Sequence, residues 1–174
     1  MFRFENLDDT TRAAMLAAIE EAEDSKNIYY SARFNDAGNR QWVPLLKQAA
    51  KEHNEHWLAY QIEANGLMKG LEGAYTPSGG YTIKYVPHTA AETIAEGQFN
   101  RFYILGLCKR ARAEGISHLV VYRAQDRFEP RPESQALIDT KLAIDEIEAQ
   151  LKVTKASLHS QLVKPNSGLS VKLP

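Results

Sequence analysis

The run Glu52-His53-Asn54-Glu55-His56 gathers two imidazoles and two carboxylates within five residues, the groups that bind transition metals or carry protons. Its spacing fits neither of the usual helical metal motifs. Zinc hydrolases place two histidines four apart with Glu directly after the first, and di-iron bundles place Glu three residues before His on each of two helices. Here the histidines are three apart and neither has a Glu three residues before it. His53 is therefore read as a hydrogen-bonded core or interface residue, with a metal site the lesser alternative. Cys108 is the single cysteine. It lies among Leu105, Leu107 and Ala111, where a thiol packs and does not react. Asp139-Thr140-Lys141 resembles a nuclease fragment but falls in a predicted helix without an acidic partner, and Thr76-Pro77-Ser78-Gly79-Gly80 lacks the lysine and following helix of a phosphate loop. No nucleophile elbow or dinucleotide fingerprint occurs. The expectation is a protein that is not an enzyme and holds no cofactor and no metal.

Charge is more informative. Residues 1–25 hold seven acids against two bases, and residues 101–131 hold seven bases against three acids. Arg101, Lys109, Arg110, Arg112, Arg123 and Arg127 form a candidate basic patch. Three readings stand side by side: solvated faces that attract each other, complementary patches joining copies head to tail, or a surface turned toward DNA phosphates. A small-enzyme reading would need Arg123, Glu129, Arg131 and Glu133 to converge around the loop stiffened by Pro130 and Pro132.

The elements that must position these groups follow from periodicity. A first helix is expected from Asn6, read as its cap, to about Asp24, with Met15, Ile19 and Ala22 inward. Ile28 to Phe34 reads as a short strand. Leu46, Ala50, His53, Trp57, Tyr60, Ala64, Leu67 and Leu71 recur at alternating spacings of four and three, the seam of one continuous helix from Gln41 to Leu71 with Pro44 in its first turn. Such a helix would be ~45 Å long. Tyr81 to Val86 predicts a second strand. Thr89 and Glu92 suggest a capping box opening a third, central helix to Glu114, which Gly115 would stop. His118 to Tyr122 predicts a third strand and Pro132 to Lys155 a fourth helix. After Glu148 no acid remains, while Lys152, Lys155, Lys164 and Lys172 follow.

The last nineteen residues, 156–174, are read as a tail outside a domain of residues 1–155. Leu169, Val171 and Leu173 would share one side of a strand, which with Lys172 suits docking on the sheet edge or groove of a partner. Deleting Asn166 to Pro174 is then expected to leave folding intact and to weaken assembly. Near-neutral net charge argues against a chain built as a whole to coat nucleic acid. The absence of a long apolar stretch or a signal layout suggests neither membrane insertion nor export, and one cysteine suits a reducing compartment.

The stretches Thr76–Gly115 and His118–Ser134, with the ending Pro165–Pro174, together a little over a third of the chain, resemble small uncharacterised proteins encoded in tailed-phage and prophage gene clusters. The resemblance implies a virion structural or assembly protein and transfers no residue role. The combined expectation is an α+β domain of four main helices and about three short strands with an extended C-terminal tail. Its expected function is that of a phage virion component, a head-tail connector or a capsid-associated protein. The chain would be a homo-oligomer, docked on other virion subunits through the tail and located in the virion or, during assembly, in the host cytoplasm. The alternative is a nucleic-acid-binding or host-modulating module using the basic patch.

Overall fold

Apolar side chains that recur on one side of a helix need a neighbour to cover them, and most of this chain is arranged around one helix that supplies it. The computed structural model describes every residue except Arg127 and Leu158, and only the backbone of Lys155 and Ala156. That central helix is α4 (Ala90–Ala113), whose residues from Gln98 to Cys108 are all buried. The fold is α+β, as expected, and Gly115 ends α4 with a φ of +73°.

Against α4 packs α1 (Asp9–Asp24), burying Thr11, Met15, Ala18, Ile19 and Ala22. Asp8, not Asn6, caps it, its carboxylate accepting from the Thr11 N–H at 3.0 Å. Asn6 is used elsewhere: its side-chain oxygen accepts from the Leu173 N–H at 2.9 Å. The two helices touch where α4 has no side chain. A Cβ on Gly106 would sit 2.7 Å from the Met15 backbone nitrogen, closer than packed atoms allow. Gly106→Ala is expected to force α1 off α4 and destabilise the fold by about 1–3 kcal/mol, read as a lowered urea midpoint with an unchanged slope.

The expected strand from Ile28 to Phe34 is absent; only Phe34 forms an isolated bridge, with Met68. The expected long helix is two helices, α2 (Asp36–Glu52) and α3 (Glu55–Ala64). Helix α2 starts at the Asn35 cap, whose oxygen accepts from the Gly38 N–H at 2.8 Å, so Pro44 lies inside the helix and not in its first turn. Pro44 is exposed, and the carbonyl it deprives of a donor belongs to exposed Arg40 on the same watered face. At His53 the backbone leaves the helical region, and Asn54 caps α3 by accepting from the Trp57 N–H at 2.9 Å.

After α3 come two strands, β1 (Leu71–Tyr75) and β2 (Tyr81–Tyr85), an antiparallel ribbon separate from the other sheet. The turn between them places Gly79 at φ +83°, and the Thr76 hydroxyl accepts from the Gly80 N–H at 2.9 Å. Helix α4 follows without the expected capping box: Thr89 makes no side-chain cap bond, and the Ala90 N–H donates to the Pro87 carbonyl instead.

The second sheet contains β3 (His118–Arg123), β4 (Lys141–Ala143) and β5 (Leu169–Lys172), all antiparallel in the order β4-β3-β5. The expected fourth helix is thus interrupted. It becomes α5 (Pro132–Gln135), then β4, α6 (Ile144–Leu151) and α7 (Thr154–Ser157). Asp139, at φ +64°, turns the chain so that its own N–H reaches the Val121 carbonyl and the Val121 N–H reaches the Thr140 carbonyl.

The division into a domain and a docking tail is corrected at β5. Val121 pairs with Val171 and Arg123 with Leu169, and Leu169, Ser170 and Val171 are fully buried. The tail completes the protomer's own sheet and core.

Candidate functional site

The residues singled out for chemistry do not converge. The corner between α2 and α3 brings Glu52, His53, Asn54 and Glu55 around an open hollow of about 480 Å³ with Phe2, Phe4, Arg12 and Trp57. The Arg12 guanidinium donates to the carbonyls of Ala50 and His53, both at 2.9 Å, satisfying the end of α2. The His53 ring stacks on Trp57 at 4.1 Å, and His56 is exposed. Among the described residues no three His, Cys, Asp or Glu side chains gather as a metal site would require.

The buried group at this corner is Glu55, on the face that the helical seam assigned to solvent. Its Oε1 accepts from the Phe2 N–H at 2.7 Å, while Oε2 has no partner. Burial holds its carboxyl above the usual range, against the pull of the Phe2 bond. Between the unfolded and the raised folded value the native state binds more protons, so the stability Glu55 contributes falls as pH rises through the folded value. Glu55→Gln is expected to remove that dependence. The stability difference between variant and wild type, followed by urea titration, should shift in the wild type's favour as pH is lowered through the carboxylate range.

The basic patch is not a free surface. Arg101 is fully buried. Its Nε donates to the Leu151 carbonyl at 2.8 Å, Nη1 to the Gln98 side chain at 3.3 Å, and Nη2 to the carbonyls of Asn27 and Lys152 at 3.2 and 3.1 Å. Burial lowers its pKa to about 10, so it stays charged at neutral pH. Lys109 pairs with Glu21. Arg110 pairs with Asp8 at 2.7 Å and Glu114 at 2.8 Å, and Arg112 with Asp145 at 2.9 Å and Glu148 at 2.8 Å. Arg123 donates to the Ser167 carbonyl at 2.9 Å and the Gln135 side chain at 3.2 Å. Arg127 lies outside the described residues. Lys109 and Arg110 are thus matched by acids of the N-terminal region within the same chain.

Nor do the residues of the small-enzyme reading converge. Arg123 and Arg131 both hold the 165–167 turn, Arg131 through the Pro165 carbonyl at 3.2 Å, while Glu129 and Glu133 are exposed. Cys108 is buried and its thiol is pushed up to about 12, which leaves negligible thiolate at neutral pH. Of the proposed docking residues, Leu169 and Val171 are interior, Leu173 packs partly buried against the core, and Lys172 pairs with Glu5 at 3.1 Å.

What the fold leaves uncovered is the ribbon. Its register opposes Leu71 to Tyr85, Gly73 to Ile83 and Tyr75 to Tyr81, and residues directly opposed across two strands share a face. That face therefore carries Leu71, Tyr75, Tyr81, Ile83 and Tyr85, exposed by 52, 83, 66, 66 and 83%. The Tyr75 and Tyr81 rings meet edge to face with centroids 5.5 Å apart. Gly73 lies beneath the Tyr81 ring, where a Cβ would overlap the phenol. The opposite face is polar and tied to the body. Glu72 accepts from Arg33 at 2.6 and 3.1 Å and pairs with Lys84 at 3.5 Å, and the Arg33 bond holds its carboxyl below the usual range. At the root of the ribbon the Lys69 N–H donates to the Arg33 carbonyl at 2.8 Å and the Val86 N–H to the Gly70 carbonyl at 3.1 Å. One face is anchored and the other is offered.

The sequence held a signal for this surface. Tyr81, Ile83 and Tyr85 alternate with Thr82 and Lys84, the pattern of a strand with one apolar face. The seam that runs on to Leu71 reads as helix, which hides β1. Comparison with family models, with curated proteins and with solved structures finds no match to this chain.

Proposed function

We propose that this protein is a non-catalytic virion structural or assembly component of a tailed phage, a head-tail connector or a capsid-associated protein, and that it engages its partner through the apolar face of the β1–β2 ribbon. The observation that carries the reading is that face: five large apolar side chains on a ribbon projecting from a body whose own core is closed. Monomeric soluble proteins seldom leave so much contiguous apolar surface open unless it binds something. Among the described residues, Arg101, Lys109, Arg110, Arg112 and Arg123 are engaged within the chain, so they offer little to a substrate. The phage setting rests on the sequence resemblance. The ribbon takes over the docking role first given to the C-terminal strand.

The test is mass spectrometry of purified particles from a host carrying the gene cluster. The reading expects the chain in the particle at a stoichiometric level; a chain found only in the soluble lysate would overturn it. The nucleic-acid reading is separated by a titration with duplex DNA against salt. With Lys109, Arg110 and Arg112 already paired to carboxylates, we expect no binding whose affinity falls steeply with ionic strength.

A further inference from the structure

We infer that the ribbon's apolar face is covered by the same face of a second copy of this chain, so that two protomers pair about a twofold axis with their ribbons packed face to face. The inference deepens the assembly reading and rests on it for the role of the surface.

Three observations select a second copy as the occupant. The first is area. With aromatic side chains burying ~150–250 Å² each, the five residues at their observed exposures offer on the order of 600–700 Å². That is close to the ~800 Å² per partner of a standard stable interface, so one ribbon laid on another nearly suffices. The second is charge. Apart from the tyrosine hydroxyls, the face carries no ionisable group, because Glu72 and Lys84 lie on the other side, where Glu72 pairs with both Lys84 and Arg33. Two identical faces therefore meet without the like-charge repulsion that penalises most self-pairings. The third is the absence of a matching apolar surface elsewhere. Among the described residues, the other large apolar side chains that are exposed are Met1, Tyr30, Tyr60, Phe128 and Val153, which lie in separate segments. A heterologous contact needs a second, complementary patch on the same chain; an isologous one needs only this patch.

The geometry is self-consistent. Ile83 and Gly73 form the middle pair of the register, so a twofold axis through the face sets Ile83 near its own counterpart, with tyrosines at either end. Sheets stacked in this way lie about 10 Å apart, a gap that interdigitating Tyr and Ile side chains fill. A two-stranded ribbon is marginal alone in water, and face-to-face pairing supplies the missing layer. A twofold pair also differs from a ring, so this occupant favours the capsid-associated role over the connector role.

The full-length protein is examined by light scattering over a concentration series, alongside Ile83→Asp and two single-cysteine probes. Cys108 is buried, so Ile83→Cys or Thr82→Cys each introduces the accessible thiol. The inference expects a wild-type mass twice that of the chain, reduced to one chain by Ile83→Asp with an unchanged circular dichroism spectrum. Under mild oxidation it expects a covalent dimer for Ile83→Cys and none for Thr82→Cys, on the opposite face. A wild-type monomer at high micromolar concentration, a ring of higher mass, or a dimer indifferent to Ile83→Asp would each overturn it. If Ile83→Asp fails to fold, the cysteine pair decides alone, since Ile83→Cys keeps an apolar side chain. A monomer that still enters particles would sink this inference and leave the assembly reading standing; a dimer absent from particles would do the reverse.

Discussion

A chain ending at Pro165 is expected not to fold. Removing residues 166–174 strips β5 from the sheet and takes Leu169 and Val171, both fully buried, out of the core at ~1.5–3 kcal/mol each. It also takes away two of the three partners of the buried Asn100 side chain. The Asn100 amide donates to the Leu162 and Leu169 carbonyls at 3.1 and 2.9 Å, and its oxygen accepts from the Ser170 hydroxyl at 2.7 Å. An unpaired buried polar group costs ~1–3 kcal/mol. The Ser167 carbonyl held by Arg123 and the Gly168 carbonyl held by the Ala124 N–H leave as well. Together the losses are on the order of 5–10 kcal/mol, comparable to the whole stability of a domain, ~5–15 kcal/mol. Circular dichroism and urea titration of the truncated chain should show no cooperative transition. A transition near the full-length midpoint would mean that β5 is an appendage after all, as its sequence first suggested.

Arg101→Met is expected to cost about 3–5 kcal/mol, the range for a broken buried polar network. The Arg101 guanidinium joins three separate parts of the fold: the carbonyls of Leu151 and Lys152 at the end of α6, the Asn27 carbonyl after α1, and Gln98 one turn back on α4. Methionine approximates its stem but donates nothing, so acceptors at a helix end lose their partners in a site from which water is excluded. No carboxylate is among these partners, so the bonds to carbonyl and amide oxygens carry the stabilisation of the charge. The check is urea unfolding, with Arg101→Lys as companion. Lysine restores a charge but not the planar fork that spans these acceptors, and should recover only part of the loss. A near-wild-type midpoint for Arg101→Met would show that the network is dispensable.

How far the sequence spoke for the fold differs by element, for physical reasons. Helix α4 was legible because a segment apolar on most of its circumference has to lie in the interior. The inward set Met15, Ile19 and Ala22 of α1 was legible because its neighbours on the other face are charged. The 41–71 seam had the right period and a misleading phase. Tyr60 is 62% exposed, while Leu58, Ala59 and Ile62 are buried, because the break at His53–Asn54 rotates α3 relative to α2. A local signal for that break existed in Asn54, a strong N-cap residue.

Long-range partners were not legible. Alternation in Leu169 to Leu173 revealed a strand with an apolar side, but not that it would pair with β3 of the same protomer. Arg110 and Asp8 are 102 residues apart, so composition could show opposite charges without showing that they meet inside one chain. The ribbon combined both difficulties, since β1 is a strand only because β2 lies beside it.

We propose that the ribbon's outward face, and not the C-terminal strand, is what this protein presents to an assembly. It is tested most directly by incorporation. Wild type and a Tyr81→Ser, Ile83→Asp double variant are supplied in trans to a host in which the chromosomal copy is deleted, and the chain is quantified in purified particles. Because both positions lie on the open face, the variant should keep the wild-type circular dichroism spectrum and a cooperative urea transition and yet be lost from particles by at least tenfold. A folded variant incorporated as fully as the wild type would show that the ribbon face is not the docking surface.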